Sequence, residues 1–228
     1  MAPSADYIRP WWYRGRHLQT LWGPLLRPIG PPRVRRERVT TADGDFLDLD
    51  WCAPAPSSAP VVVLLHGLEG SSRSHYVAGL CREAARLGLR AVTLNFRSCS
   101  GELNRGPRLY HSGETSDLDA VVGRIIAREP EVRVGLVGMS LGGNVGLKWL
   151  GERGEAAPGQ VRAAVAISTP FDLAACAGVL DVGMSRLIYT ASFLRTLKRK
   201  VRAKAHLHDG RLTFSSPVSS GNDLRPRK

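Results

Sequence analysis

Polar and apolar residues alternate along the stretch of chain that precedes the main apolar segments. Residues 33–51 alternate around Asp43 and Gly44, a dipeptide that favours a tight hairpin turn. This pattern predicts two antiparallel strands. Upstream, residues 7–29 are rich in aromatic residues and proline, and we expect them to form an extension packed on the core.

From residue 61 onward, short apolar runs alternate with segments of helical periodicity. The runs are typical of strands that are buried on both faces. The predicted strands are residues 61–65, 89–96, 132–137 and 161–167. The first predicted helix has Ser71, Ser72 or Ser74 as candidate caps, an apolar face that extends to Leu87, and its end at Gly88. The next predicted helices are residues 115–128 and 141–150. Strands that alternate with helices at this spacing predict an α/β fold with a mostly parallel sheet and helices on both faces.

The length of 228 residues suits one domain with a single core. Within it we expect an N-terminal extension and hairpin over residues 1–60 and a core over 61–168. Lid-like helices are expected over 169–205, and a disordered tail over 206–228.

The net charge of +12 raises the question of a nucleic-acid partner, but the distribution of charge argues against one. Residues 195–228 carry ten Lys and Arg against two Asp and Glu. The rest of the chain is therefore only mildly basic, and we expect no nucleic-acid partner.

No stretch approaches the ~20 apolar residues that a membrane span needs. The N-terminal end lacks a basic start followed by an apolar run, so we expect no signal peptide and a cytoplasmic location. The four cysteines show no spacing typical of a zinc site, and we expect reduced thiols at these positions: Cys52, Cys81, Cys99 and Cys176.

The candidate chemistry centres on Ser140, in the run of residues 138–143 that reads Gly-Met-Ser-Leu-Gly-Gly. A predicted strand leads into this run and a predicted helix leads out, the context that a nucleophile elbow requires. Gly138 and Gly142 allow close backbone packing, and the free N–H groups of the helix favour an oxyanion. We interpret Ser140 as a nucleophile; the alternative is a serine in a glycine-rich turn without chemistry.

A second element supports this interpretation, the turn His66-Gly67-Leu68-Glu69-Gly70 after the first buried strand. In such folds the oxyanion hole uses the N–H after the nucleophile and one from this turn, here those of Leu141 and Leu68. Each such donor contributes ~10²–10³ in rate. His66 precedes the nucleophile at the end of a buried strand, so we interpret it as structural, bracing the loop.

Several stretches together resemble the YheT-like family of α/β-hydrolases, which includes the abhydrolase-domain esterases and lipases. The resemblance covers about residues 7–205 and is carried by residues 14–20, 43–48, 66–72, 95–101, 110–117, 138–144 and 170–173. It implies ester hydrolysis through an acyl-enzyme on Ser140, with short- or medium-chain carboxylic esters or acylglycerols as substrates. It implies no metal or cofactor. Acyl transfer to another acceptor and haloperoxidase chemistry stay open, because both share the elbow.

Three other residues could have either a structural or a chemical role. Arg97 could hold an anionic substrate group or shape its loop, and we favour shaping. Cys99 lacks an elbow and a paired base, so we interpret it as a loop thiol. His17, in the N-terminal motif, is interpreted as a packed, hydrogen-bonded residue.

The acid and base of a catalytic triad are not identifiable in this chain. The expected order is Ser, then Asp or Glu, then His, and the resemblance stops after about residue 206. The downstream candidates outside the lid are His206, His208, Asp209 and Asp223. No histidine follows Asp209, and Asp181 precedes His206 and His208 but lies in the lid. We hypothesise a chain that is truncated or frame-shifted after about residue 206.

This hypothesis predicts a nearly inactive and poorly stable product, because loss of a triad base costs ~10⁶ in turnover. Missing strands would also leave a sheet edge uncovered. The alternative function is a non-catalytic hydrolase-fold protein that acts through a basic lid and tail.

Residues 171–205 resemble a lid whose helix has an apolar face and a basic face. The predicted apolar face holds Leu187, Ala191, Leu194, Val201 and Ala205, and the basic face holds Arg195, Lys198, Arg199, Arg202 and Lys204. We favour a solvated face over a nucleic-acid surface, and a weak contact with a membrane surface stays open.

Overall fold

The computed structural model describes residues 11, 15–26, 30, 32–52 and 55–207. Six strands form one sheet: β1 (Val34–Thr40), β2 (Phe46–Cys52), β3 (Val61–Leu65), β4 (Arg90–Asn95), β5 (Val134–Met139) and β6 (Val161–Ile167). Their order across the sheet is β1-β2-β4-β3-β5-β6. The first three strands in this order pair antiparallel, and the pairs from β4 to β6 are parallel.

The helices lie between and after the strands. They are α1 (Arg16–Leu26), α2 (His75–Arg86), α3 (Ser116–Arg128), α4 (Leu141–Arg153), α5 (Leu173–Leu180), α6 (Gly183–Ser185) and α7 (Ala191–Ala203). A π-helical segment, Arg186–Thr190, joins α6 to α7, and short 3₁₀ turns occupy Gly154–Ala156 and Ala205–Leu207.

Each face of the sheet has its own hydrophobic core because side chains alternate along β3. Val63 and Leu65 pack on one face with residues of α3 and α4, such as Val121 and Trp149. Leu64 points to the opposite face, where it packs against α2. The central strand is therefore buried on both faces, as its continuous apolar run predicted.

The predicted fold class is confirmed. The hairpin around Asp43 and Gly44 is formed by β1 and β2, and the predicted apolar strands and intervening helices are present with small shifts of their ends. Of the three candidate caps, Ser74 is the N-cap residue of α2, although its hydroxyl makes no capping bond to the helix. Leu87, which the periodicity placed on the apolar face of that helix, follows its end and is exposed.

The last strand in the sheet order contrasts with the four inner strands, which are mostly buried. The side chains from Arg162 to Ala166 are exposed, and Val165 is 52% exposed. Helix α5, which follows β6, has no buried residue despite its apolar composition. Within the described residues, nothing covers this side of the sheet.

The expectation of reduced thiols is wrong for two of the four cysteines. Cys52, at the end of β2, and Cys81, on α2, form a disulfide with Cα atoms 5.8 Å apart. They meet because α2 packs on the sheet face to which Cys52 points. Cys99 and Cys176 are free.

Among the helices that the structure describes, none is by itself long and apolar enough to cross a membrane. The segments Leu173–Leu180 and Gly183–Ala203 meet that test only as a pair, and they bend by 90° at their junction.

Candidate active site

Ser140 lies at the turn between β5 and α4, as predicted. Its φ of 52° is in the left-handed region, where a residue with a side chain is strained. The N–H of Ser140 donates to the carbonyl of Ile167 in β6 (2.8 Å), and its own carbonyl accepts from Gly143 (2.9 Å). The strained turn is thus fixed on both sides, and the half-buried Ser140 side chain stands at the start of α4.

The glycines beside Ser140 are required by close backbone packing. A Cβ on Gly138 would lie 2.5 Å from the carbonyl oxygen of Gly142. A Cβ on Gly142 would overlap the carbonyls of Leu65 and His66 at the end of β3. The elbow therefore touches the first strand-to-helix turn through backbone atoms, and no larger residue fits at either position.

The turn after β3 lies directly against Ser140. A Cβ on Gly67 would be 3.3 Å from the Cβ of Ser140, so the two turns are in contact. The N–H of Gly67 donates to the Tyr76 hydroxyl (2.8 Å), and that of Glu69 donates to the Tyr110 hydroxyl (2.6 Å). Among the residues that the structure describes, none accepts a hydrogen bond from the N–H of Leu68 between them.

The N–H of Leu141, the first residue of α4, likewise lacks an acceptor among the described residues. The first N–H groups of a helix have no partner within the helix. The two turns therefore present two unused N–H donors, those of Leu68 and Leu141, beside a serine. Such donors can stabilise negative charge that develops on a substrate oxygen.

His66 is fully buried and both ring nitrogens are engaged. Its Nε2 accepts from the N–H of Phe96 (3.0 Å), so the proton lies on Nδ1, which donates to the carbonyl of Gly67 (2.8 Å). Burial lowers the pKa of His66 from 6.5 to about 4. The geometry agrees with the predicted structural role: a neutral imidazole that joins β4 to the turn after β3.

Arg97 is 1% exposed, and its guanidinium is surrounded by carboxylates. It binds Asp117 in a bidentate pair (both distances 2.8 Å), with Asp43 (2.9 Å) and Asp45 (3.3 Å) alongside. These contacts join the hairpin turn to the start of α3. The geometry favours loop shaping over substrate binding, because no donor faces the elbow unpaired.

The predicted hydrogen-bonded role of His17 agrees with its contact to Tyr189, where Nδ1 and the hydroxyl are 3.3 Å apart. Cys99 is the loop thiol that we expected, and burial raises its pKa. Its sulfur also contacts Lys200 of α7 (3.2 Å).

The described residues bring no acid and base to Ser140. No histidine or carboxylate among them forms a hydrogen bond with its hydroxyl. Asp181 caps α5 and faces Arg186 at 3.7 Å, and His206 is exposed. The remaining candidates, His208, Asp209 and Asp223, lie outside the described residues.

The predicted faces of the lid helix need two corrections. Leu187, Ala191 and Leu194, which were predicted on the apolar face, are exposed because the helix turns another face inward. Lys204 is buried and not solvated: its Nζ donates to the carbonyls of Gly106 (2.7 Å) and Arg108 (3.2 Å). Lys200, which the sequence interpretation did not single out, is buried one turn earlier. Phe193, Leu197, Lys200 and Lys204 follow one another at helical spacing. This spacing indicates that the two lysines share the inward face of the helix with the two apolar residues.

The sequence patterns did not predict a role for Tyr76, and they included Tyr110 only as part of a motif. Each hydroxyl holds a backbone N–H on one side of Leu68. No local pattern marks a tyrosine for this role, because the bond from Glu69 to Tyr110 spans 41 residues.

Comparisons with known proteins show the family to which the chain belongs. Residues 60–216 match the family described as alpha/beta hydrolase fold. The chain is 38% identical over 218 residues to "Putative esterase YheT" of Escherichia coli (strain K12), covering 94% of this chain and 63% of that protein. It is 30% identical to "Phospholipase ABHD3" of Homo sapiens, covering 88% of this chain and 50% of the relative.

Among solved structures, the Pyrococcus furiosus esterase Pf2001 superposes with a TM-score of 0.53 at 22% identity, covering 72% of this chain and 61% of that one. This likeness concerns the fold. The chain spans between half and two thirds of the length of the curated relatives named above. The predicted resemblance to YheT is confirmed, and the chain belongs to the α/β-hydrolase family.

Proposed function

We propose that Ser140 is the nucleophile of a carboxylic ester hydrolase. One observation carries the proposal: a strained serine at a strand-to-helix turn stands beside two N–H groups, those of Leu68 and Leu141, that no described residue uses. Strain of this kind costs about 1–3 kcal/mol and persists where the surroundings impose it, often at functional sites.

The chemistry follows from these positions. The Ser140 oxygen attacks the ester carbonyl carbon, and the carbonyl oxygen becomes an oxyanion between the N–H groups of Leu68 and Leu141. The C–O bond to the leaving group then breaks, the leaving oxygen takes up the proton that the serine hydroxyl gave up, and the alcohol departs while the acyl group stays on Ser140. A water molecule then attacks the acyl-enzyme and releases the carboxylic acid.

The proton of the serine hydroxyl needs a base, and the described residues offer none in contact with it. Turnover by this chain alone is therefore expected to be low. Loss of a triad base costs ~10⁶ in turnover, whereas the oxyanion hole and binding alone retain about 10³–10⁴ over water.

The substrate class follows from the relatives. Relatives are named as an esterase, a phospholipase and, in Saccharomyces cerevisiae, a monoacylglycerol lipase, and the last of these names denotes a carboxylic ester of glycerol as the substrate. We propose small carboxylic esters, including acylglycerols with short or medium acyl chains. The same missing base supports the second candidate, a hydrolase-fold protein without catalysis.

A fluorophosphonate probe separates the two candidates, because the serine oxygen displaces its fluoride and the charge that develops on the phosphoryl oxygen is stabilised by oxyanion donors. We expect slow labelling of the wild-type chain at Ser140, located by peptide mass spectrometry. Ser140→Ala should abolish it, and the exposed Ser192→Ala should leave it unchanged. A folded wild-type chain that is unlabelled, or is labelled equally in Ser140→Ala, would establish the non-catalytic alternative.

A further inference from the structure

A cluster of buried charges joins α7 to the turn that carries the Leu68 N–H. Lys200 of α7 places its Nζ 2.7 Å from Oε1 of Glu69, with both side chains less than one tenth exposed. The Tyr110 hydroxyl donates to the same oxygen (2.8 Å), and the ammonium lies 5.6 Å from the Tyr110 ring centre. A residue of the lid thus contacts the residue next to the proposed oxyanion donor.

Glu69 has a backbone that needs such support. Its φ of 55° lies in the left-handed region, which is unfavourable for a residue with a long side chain. Its N–H donates to Tyr110, while its carboxylate accepts from Tyr110 and Lys200. Backbone and side chain are therefore held from two directions. Glu69 lies in the turn that the Gly70 N–H closes on the Gly67 carbonyl (3.0 Å). That carbonyl and the Leu68 N–H belong to one peptide unit, so the conformation of Glu69 affects the direction of the Leu68 N–H.

The charge balance of the cluster identifies Lys200 as the dominant partner. Burial alone would raise the pKa of Glu69, but the hydrogen bonds from Lys200 and Tyr110 and the Lys200 charge outweigh it, and the pKa is lowered. Without Lys200 the carboxylate would be a buried, unpaired charge. Such a charge is costly, and the turn could avoid the cost by rotating Glu69 toward solvent.

The positions of the lid's other lysines make the contact specific. Lys204, one turn further along α7, binds the carbonyls of Gly106 and Arg108 and does not contact the turn. Lys198 is exposed on the opposite side of the helix. Within the described residues, Lys200 is the lysine that reaches the turn after β3.

We infer that Lys200 is a positioning residue for the oxyanion hole. By pairing with Glu69 from α7, it holds the turn in the conformation that directs the Leu68 N–H at the proposed reaction centre beside Ser140. This inference deepens the proposed function and rests on it. It makes the lid helix part of the support of the oxyanion hole, in addition to any role in covering the site.

The first test measures the turn itself and needs no activity. Amide hydrogen exchange is compared between the wild-type chain, Lys200→Met and the exposed control Lys198→Met. We expect the Glu69 amide to exchange about tenfold faster in Lys200→Met, because its bond to Tyr110 depends on the fixed carboxylate. Lys198→Met should exchange as the wild type does. Equal exchange in the two variants would overturn the inference.

The second test uses the rate at which fluorophosphonate labels Ser140, separated into binding and inactivation steps. We expect Lys200→Met to lower the inactivation rate constant about tenfold and to leave probe binding unchanged, since an oxyanion donor acts in the transition state. Lys200→Arg should recover most of this rate. A change in probe binding alone, or no recovery in a folded Lys200→Arg chain, contradicts the positioning role.

If Lys200→Met does not fold, Glu69→Gln replaces it in both measurements. This variant removes the charge and keeps the side-chain length, and a smaller loss of the same kind is expected. A wild-type chain that is never labelled refutes the proposed function, whereas the exchange measurement still decides whether Lys200 holds the turn.

Discussion

The centre and the outer edge of the parallel part of the sheet differ sharply in how they are packed. The turns after β3 and β5 press backbone against backbone, and the side chains of β3 are buried on both faces. The outer strand β6 pairs with β5 along one edge, but its side chains from Arg162 to Ala166 are exposed.

The difference shows that the candidate site depends on the buried centre of the sheet and not on the edge strand β6. The turn after β3 is held by Tyr76 of α2, Lys200 of α7 and Tyr110 of the loop after β4, and it packs against the elbow at Ser140. The outer strand supports the site through a hydrogen bond to the elbow, from the N–H of Ser140 to the carbonyl of Ile167. Its exposed face contributes little to the stability of the described residues.

The largest expected effect comes from an added methyl group in the elbow. Gly142→Ala places a Cβ against the carbonyls of Leu65 and His66, so we expect unfolding to become easier by about 3 kcal/mol. Gly151→Ala in the same helix meets open space and should stabilise the chain by about 0.5–1 kcal/mol. Denaturant unfolding measures both. Equal effects would show that the two turns are not packed as described.

A smaller effect should separate the central and outer strands. Val63→Ala removes buried contacts in β3 and should cost about 2.5 kcal/mol, whereas Val165→Ala in β6, at 52% exposure, should cost less than about 0.5 kcal/mol. The same unfolding measurement applies to both variants. If Val165→Ala costs as much as Val63→Ala, the outer face is covered in solution, and the contrast between the two strands fails.

The smallest effect concerns His66, which must stay neutral beside the turn. Its folded pKa of about 4 lies below the unfolded value of 6.5, so the unfolded chain binds more protons between these values. Stability is therefore fully present above about pH 6.5 and declines as pH falls toward 4, by about 2 kcal/mol between pH 7.5 and 5 from this residue alone. An NMR titration of its imidazole checks the cause: a midpoint near the unfolded value would refute it.

Much of the fold was predictable because the signals are local. The apolar run of β3, the Asp43-Gly44 hairpin and the strand that leads into the elbow each depend on residues close in sequence. The positions of Ser140 and of the turn after β3 followed from the same patterns. The end of α2 was less predictable, because Leu87 continues the helical period but falls beyond the helix.

The supporting contacts of the site could not be predicted in this way. The pair between Lys200 and Glu69 spans 131 residues, and the bond between Glu69 and Tyr110 spans 41. Periodicity assigned Lys204 to a solvated basic face and did not single out Lys200, since a buried lysine is favourable only when a distant acceptor reaches it.

By itself, the sequence determined the order of strands and helices, the glycine-flanked elbow at Ser140 and its family, because these depend on local periodicity and steric size. Only the tertiary structure decided that Cys52 meets Cys81, that Lys200 and Lys204 are buried, and that β6 has an exposed face. These features depend on which surfaces come together when the sheet assembles. A burial pattern set by distant neighbours leaves no signature in the residues nearby.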